Sequence, residues 1–272
     1  MTADINHQTS RGRIVVTTGS FPYDPNRRRA VMVLDQHDLD RCEYEPHASK
    51  LLLDDEAYIL SVPIGRQDPI PAALQNIIDS DLARAGKMLV QSPFDHDCYV
   101  EAECAAQSFA LAKHLHFSIV CKILGAKEVR VEQINLRTSK SSMSANCEGM
   151  ILVNGIPVYG TATGESESLQ RLRAQLTLSN KYAGGEPDVE AAEQYLRCFR
   201  LFGDMSMRSI LEMRRGSNQL IEHKLVLSLS NEAKSNLKVA ARLMVPAVSL
   251  SAKFSRVVED GHDYTITVLV RF

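Results

Sequence analysis

No apolar run in this chain reaches the ~18–20 residues that a membrane-spanning helix needs. The opening residues, Met1-Thr-Ala-Asp-Ile-Asn-His7, carry no apolar h-region, so no secretory leader is expected. Charge of one sign is not in excess either. Lysine and arginine number 31, aspartate and glutamate 33, and the net charge is −2. Phosphate neutralisation needs a clustered positive surface, so the chain gives no strong nucleic-acid signal. Its one basic run, Arg27-Arg28-Arg29, sits in a loop and reads as a solvated turn before an anion or nucleic-acid contact. The six cysteines (Cys42, Cys98, Cys104, Cys121, Cys147 and Cys198) include no C-x-x-C pair. That spacing marks zinc and redox sites, so the thiols are expected to be reduced and the protein cytoplasmic and soluble. Neither G-x-G-x-x-G nor G-x-x-x-x-G-K-[ST] occurs, and no cofactor can be named. Gly164-Glu-Ser-Glu-Ser168 approaches a nucleophile elbow but has Ser168 where the closing glycine belongs.

What is present is a core-forming composition, with 44% hydrophobic and 24% charged residues over 272 positions. The stretch from Lys87 to Ile134 organises the rest. Lys87–Gln91 reads as a strand, Ser92–Asp97 as a loop, about 98–124 as a long core helix ended by Gly125, and Glu128–Ile134 as a strand. In the helix, Val100, Cys104, Leu111, Leu115 and Ile119 form the expected inner stripe, widened by Phe109, Ala112, Val120, Ile123 and Leu124. Cys104 and Cys121 are expected to be buried there.

Upstream, strands are expected at Arg13–Thr18, Ala30–Leu34 and Tyr58–Ile64, where Pro63 marks either a sheet edge or the strand's ending. A helix is expected from Pro69 to Ala85, and residues 35–56 read as irregular or weakly helical. Downstream the pattern turns antiparallel. Ser142–Val153 and Ile156–Thr163 meet at Asn154-Gly155, the strongest hairpin signal in the chain. Tyr182–Asp188 reads as a linker. Asp188 caps a helix to Phe202 with Ala191, Tyr195, Leu196, Cys198 and Phe199 inward, and a second helix covers Met205–Arg214. A strand at His223–Leu229, a helix at Asn231–Leu243 capped by Asn231, and a hairpin of Val248–Val258 with Asp263–Phe272 close the chain.

The expected class is α+β (mixed α/β), a twisted mixed or antiparallel sheet covered by helices with a long central helix at about 98–124. Two domains are expected, an α/β domain over 1–180 and an α+β unit over 181–272, or both packed as one. Strand-helix-strand-strand recurs at 87–153 and 222–272. Side chains do not repeat with it, so a common supersecondary pattern explains it more simply than duplication.

The sharpest candidate site is Ser92-Pro-Phe-Asp-His-Asp97 with Glu101. It follows a strand and opens a helix, where backbone N–H groups suit a small anionic ligand. Asp95, Asp97 and Glu101 offer carboxylates for base or electrostatic work, His96 a proton carrier near neutral pH, and Ser92 a ligand contact. The same residue types are what helix capping demands. Gly19, Ser20, Tyr23 and Arg27 follow another strand and can line the same pocket edge, although Pro22 and Pro25 equally build a surface turn. His37, Asp38, Asp40, Cys42 and His47 have metal-ligand chemistry but match no ligand spacing, so no metal site is assigned. His114 and His116, two apart on a helix, face different ways.

The function these features favour is ligand binding, or self- or partner-assembly through the terminal strand Tyr264–Phe272 as an exposed edge. The alternative is a hydrolase or transferase acting on a small nucleotide- or nucleoside-like ligand at Ser92–Glu101. A second alternative is a membrane-inserting effector, suggested by strands that alternate Ser or Thr with apolar residues.

Overall fold

The computed structural model describes residues 20–44, 54–65, 67, 69–137, 142–146, 152–153, 156–157, 176, 179–216, 219–243 and 263–272. The expected strand at 13–18, and the expected elements at 158–175 and 244–262, lie outside them. The class is the mixed α and β one expected, with a long helix among six described helices. The chain divides into two compact units. One holds residues 1–105 and 234–259, the other 106–233 and 260–272.

The first unit contains a four-stranded mixed sheet. Its strands are β1 (Ala30–Asp35), β2 (Ala57–Val62), β3 (Lys87–Gln91) and β4 (Tyr99–Glu101), in the order β2-β1-β3-β4. β1 runs parallel to β2 and antiparallel to β3. β2 lies at the edge, as Pro63 at its end suggests. Every residue from Ala30 to Leu34 is buried, so both faces of β1 are covered. Val31, Val33, Leu60 and Leu89 share one face with Phe21. Against it packs the short helix α2 (Ala72–Asp79) through Ala73, Leu74 and Ile77. Each such side chain buried is worth roughly 1.5–3 kcal/mol. α2 is shorter than Pro69–Ala85. It ends at Ser80, and Asp81 takes a positive φ of 56°. Another helix, α1 (Gln36–Tyr44), directly continues β1.

The central helix α3 (Ala102–Ile123) starts four residues later than expected. Tyr99, Val100 and Glu101 are strand residues instead, opposite Gln91, Val90 and Leu89. The loop 92–98 therefore closes a hairpin and does not open a helix. The inner face of α3 is also rotated from the expected one. Ala102, Ala105, Ala106, Phe109, Ala110, Lys113, His114, Phe117, Val120, Cys121 and Leu124 are buried. Cys104 and Leu115 are exposed, while Leu111 and Ile119 are half-buried. Phe109, Val120 and Leu124 of the widened stripe are buried as expected, and small alanines with two basic residues, outside that stripe, fill out the buried face.

The second unit contains an antiparallel sheet. Its strands are β5 (Glu128–Arg137), β6 (Ser142–Asn146), β9 (Ser179–Lys181), β10 (Glu222–Ser228) and β11 (Asp263–Arg271), in the order β10-β11-β5-β6, with β9 beside β5. β7 (Leu152–Val153) and β8 (Ile156–Pro157) pair Val153 with Ile156, the register expected for a two-residue turn at Asn154-Gly155. The expectation that Tyr264–Phe272 forms an exposed edge is corrected. β11 has β10 on one side and β5 on the other. Its residues from Ile266 to Val270 are buried without a break, which suits the middle of a sheet.

Two helices follow β9. α4 (Val189–Cys198) is capped by Asp188, whose carboxylate accepts from the Ala191 N–H at 2.9 Å, and α5 (Met205–Met213) by Asp204. Ala192 and Leu196 are the inward residues of α4; Ala191 is half-buried and Cys198 exposed. α6 (Asn231–Arg242) takes its cap from Ser230, which accepts from the Ala233 N–H at 3.1 Å, rather than from Asn231. The segment 182–188 lies against the end of α3. Asp188 N–H donates to the Ile123 carbonyl, and Tyr182 N–H to that of Lys127. Gly125 has a φ of +81°, and a Cβ there would collide with the Gly185 carbonyl, so only glycine fits.

Candidate functional site

The hairpin loop between β3 and β4 is assembled by residues remote from it. Asp95 builds the turn, its carboxylate accepting from the Asp97 N–H at 3.0 Å and from the Cys98 thiol at 3.3 Å. Ser92 Oγ accepts from the Phe94 N–H at 3.3 Å. Into this loop reaches Arg28, buried at 5% exposure at the end of a 3-10 turn, Pro25–Arg28. Its guanidinium donates to the His96 carbonyl at 2.7 Å, the Tyr99 hydroxyl at 3.0 Å and the Asp97 carboxylate at 2.7 Å. Tyr99 donates back to the Arg28 carbonyl at 2.9 Å. Gln91, also buried, donates to the His96 and Pro25 carbonyls. Asn76 on α2 donates to the Asp97 carbonyl, and Asn236 on α6 to that of Gln91.

Electrostatics follow this wiring. Burial opposes the charge on Arg28, but Tyr99 and Asp97 more than offset it and raise its pKa. Burial likewise raises the Tyr99 phenol against the lowering effect of Arg28. Burial and the Asp95 and Asp97 carboxylates push the Cys98 thiol up to about 11, which favours the protonated thiol over the thiolate. Glu101 is paired with Lys87 at 2.7 Å.

Of the residues singled out in the sequence, Ser92, Asp95, His96, Asp97 and Glu101 lie on one hairpin. Ser20, Tyr23 and Arg27 are exposed on the neighbouring loop, and Gly19 lies outside the described residues. Arg28, not Arg27, is the basic residue that reaches the hairpin. Arg29 turns elsewhere, to Glu56 at 3.1 Å and Ser235 at 3.0 Å. At the start of α1, Asp35, His37 and Asp38 bring ligand-type atoms within 4.8 Å of one another. The Asp35 carboxylate there accepts from the Asp38 N–H, as a helix cap does. His47 lies outside the described residues, and Asp40 accepts from the Gln36 side chain.

The second unit carries a different kind of surface. β10 pairs with β11 and, among the described residues, with no other strand. Ile221 (76% exposed), Val226 (52%), Met205 (77%) and Met213 (41%) stand on or beside it. The Ser206 hydroxyl donates to the Val226 carbonyl at 3.4 Å, and Met213 accepts from the Leu220 N–H, so α5 flanks the strand. Sequence reading placed the open edge one strand away. The clue it passed over is the alternation Glu222-x-Lys224-x-Val226, polar until its last member, as an edge strand often is.

No family model, curated protein or solved structure matches the chain. Among the described residues no helix is long and apolar enough to cross a membrane.

Proposed function

We propose that this protein acts by assembly with another chain through the β10 edge of its second unit. One observation carries this reading: a strand edge that has no partner strand among the described residues, beside four exposed apolar side chains, Met205, Met213, Ile221 and Val226. An unpaired edge offers main-chain hydrogen bonds to an incoming strand, and apolar neighbours add affinity. The hairpin at 92–101 fits a structural role beside it. Asp97 is held by Arg28, Glu101 by Lys87, and Asp95 is spent on the turn.

Native mass spectrometry of the purified full chain, at gentle and harsh activation, tests the reading. The expected result is a complex that Val226→Lys releases, because a lysine there places charge and a solvated head in the contact. A wild-type chain that carries no other chain, under conditions where the strand is folded, overturns it.

A further inference from the structure

The edge reading leaves the partner open, and the backbone of β10 narrows it. The Phe272 N–H donates to the Ile221 carbonyl at 2.8 Å. In an antiparallel ladder backbone groups alternate sides, so Ile221, His223, Leu225 and Leu227 address β11. Glu222, Lys224, Val226 and Ser228 then address the open side. Two side chains agree with that parity: Ser206 donates to the Val226 carbonyl at 3.4 Å, and Lys113 Nζ to that of Ser228 at 2.6 Å. These bonds occupy the carbonyls at the carboxyl end of the open side. At the other end the Leu220 N–H donates to Met213 and its carbonyl accepts from Arg214. The stretch with both groups of each outward residue open, among the described residues, is Glu222 to Lys224.

That stretch is its own complement. We infer that a second copy of this chain pairs with β10, antiparallel, about a two-fold axis at His223. Two copies can pair only by setting outward residues opposite outward residues. A two-fold at Glu222 or at Lys224 sets like charges opposite each other. One at Leu225 needs the carbonyls that Ser206 and Lys113 hold. The axis at His223 sets Glu222 opposite Lys224 of the second copy, twice, and Ile221 opposite its Leu225.

The charges behind the edge continue the match. Glu222 is bound by Arg271 at 2.7 Å, and Arg271 by Glu128 at 3.3 Å. Lys224 is bound by Glu132 at 2.5 Å, and Glu132 by Arg130 at 3.5 Å. Across the joined sheets the signs alternate from Glu128, Arg271 and Glu222 in one copy to Lys224, Glu132 and Arg130 in the other. The contact is isologous and consumes the edge of both copies, so assembly closes at two.

This inference rests on the edge reading, and the test separates them. Light scattering on the full chain over a concentration series is expected to show the 30.2 kDa chain doubling in mass and going no higher. Glu222→Lys and Lys224→Glu are each expected to abolish the dimer, because each opposes like charges across the axis. Mixing the two variants is expected to restore a dimer containing one of each. If either variant fails to fold, amide hydrogen exchange on the wild type decides. The Glu222 and Lys224 amides are then expected to slow as concentration rises, while those of His223 and Leu225, already bonded to β11, do not change. A dimer indifferent to both charge changes overturns the register, and so does a mixture that stays monomeric. A wild-type chain that is monomeric but holds a different protein, released by Val226→Lys, overturns self-pairing and leaves the edge reading standing. A chain that does neither overturns both.

Discussion

Arg28 shows how much one side chain can decide. Three of its hydrogen bonds run to residues 68 to 71 positions away, and together they fix where the 92–98 hairpin lies. Arg28→Ala would take the charged donor from the Tyr99 hydroxyl and leave the His96 carbonyl with Gln91 alone, and a charged hydrogen bond contributes about 1.5–3 kcal/mol. Asp97 is 44% exposed, so water takes up much of its share. The expected loss is about 2–3 kcal/mol of unfolding free energy, read from the urea midpoint; an unchanged midpoint would show that the hairpin holds itself. His114 makes a second, opposite case. It is buried on α3, its Nε2 has no hydrogen-bond partner among the described residues, and burial lowers its pKa from 6.5 to about 4. Above pH 6.5 both folded and unfolded chains keep it neutral, and it adds no pH dependence. As pH falls below 6.5 the unfolded chain takes up the proton while the folded chain resists until about 4, so stability falls over that window. The total is on the order of 3 kcal/mol from this group alone. Denaturant titrations at pH 7, 6 and 5 should show the slope, and His114→Phe should flatten it; a slope equal in both proteins would assign it to other groups.

Among the elements, α3 carries the most consequence. Its buried face includes Lys113, whose ammonium donates to Asp204 at 2.5 Å and to the Ser228 carbonyl at 2.6 Å. Asp204 meanwhile caps α5, accepting from the Ser206 and Met207 N–H groups. One carboxylate thus serves a cap and a buried ion pair, whereas Asp188 serves a cap alone. Asp188→Ala is expected to cost about 0.5–2 kcal/mol. Asp204→Ala strands a buried ammonium as well and is expected to cost about 3–5 kcal/mol. Thermal or urea unfolding of the two variants checks the difference, and equal losses would mean that Lys113 finds another acceptor. The same helix explains an error of sequence reading. Apolar spacing alone favoured the face of Cys104, Leu111 and Leu115. The folded chain keeps Phe109, Val120 and Leu124 of the wider stripe and buries alanines and Phe117 beside them, because close packing rewards fit and partners rather than hydrophobicity alone.

For the whole molecule, the two sheets differ in how they treat their edges. In the first, β2 and β4 are the outer strands, and β4 is only Tyr99–Glu101. In the second, β10 is a full strand, and its solvent face is a lattice of ion pairs, Glu222–Arg271–Glu128 and Lys224–Glu132–Arg130. A lysine and a glutamate on an edge are ordinary guards against indiscriminate pairing. Spaced two apart, they would stand opposite each other in the antiparallel self-pairing proposed above. Pairing of this kind predicts an association that closes on itself rather than a fibre.

Local pattern was enough to determine much of this protein. The apolar run at Ala30–Leu34, the alternation at Glu128–Ile134 and the cap at Asp188 all follow from backbone preferences within a few residues. So does the mixed α and β class. Partner strands, burial phase and edges were settled by tertiary structure. Tyr99–Glu101 became a strand because Leu89–Gln91 lay ready to pair, and Tyr264–Phe272 became interior because β10 and β5 took both its sides. Arg28 in its triplet looks like a solvated charge until Asp97 and Tyr99, about seventy residues on, are brought to it. Strand pairing and buried ion pairs are long-range contacts, and a chain read residue by residue carries no record of which distant group will be near.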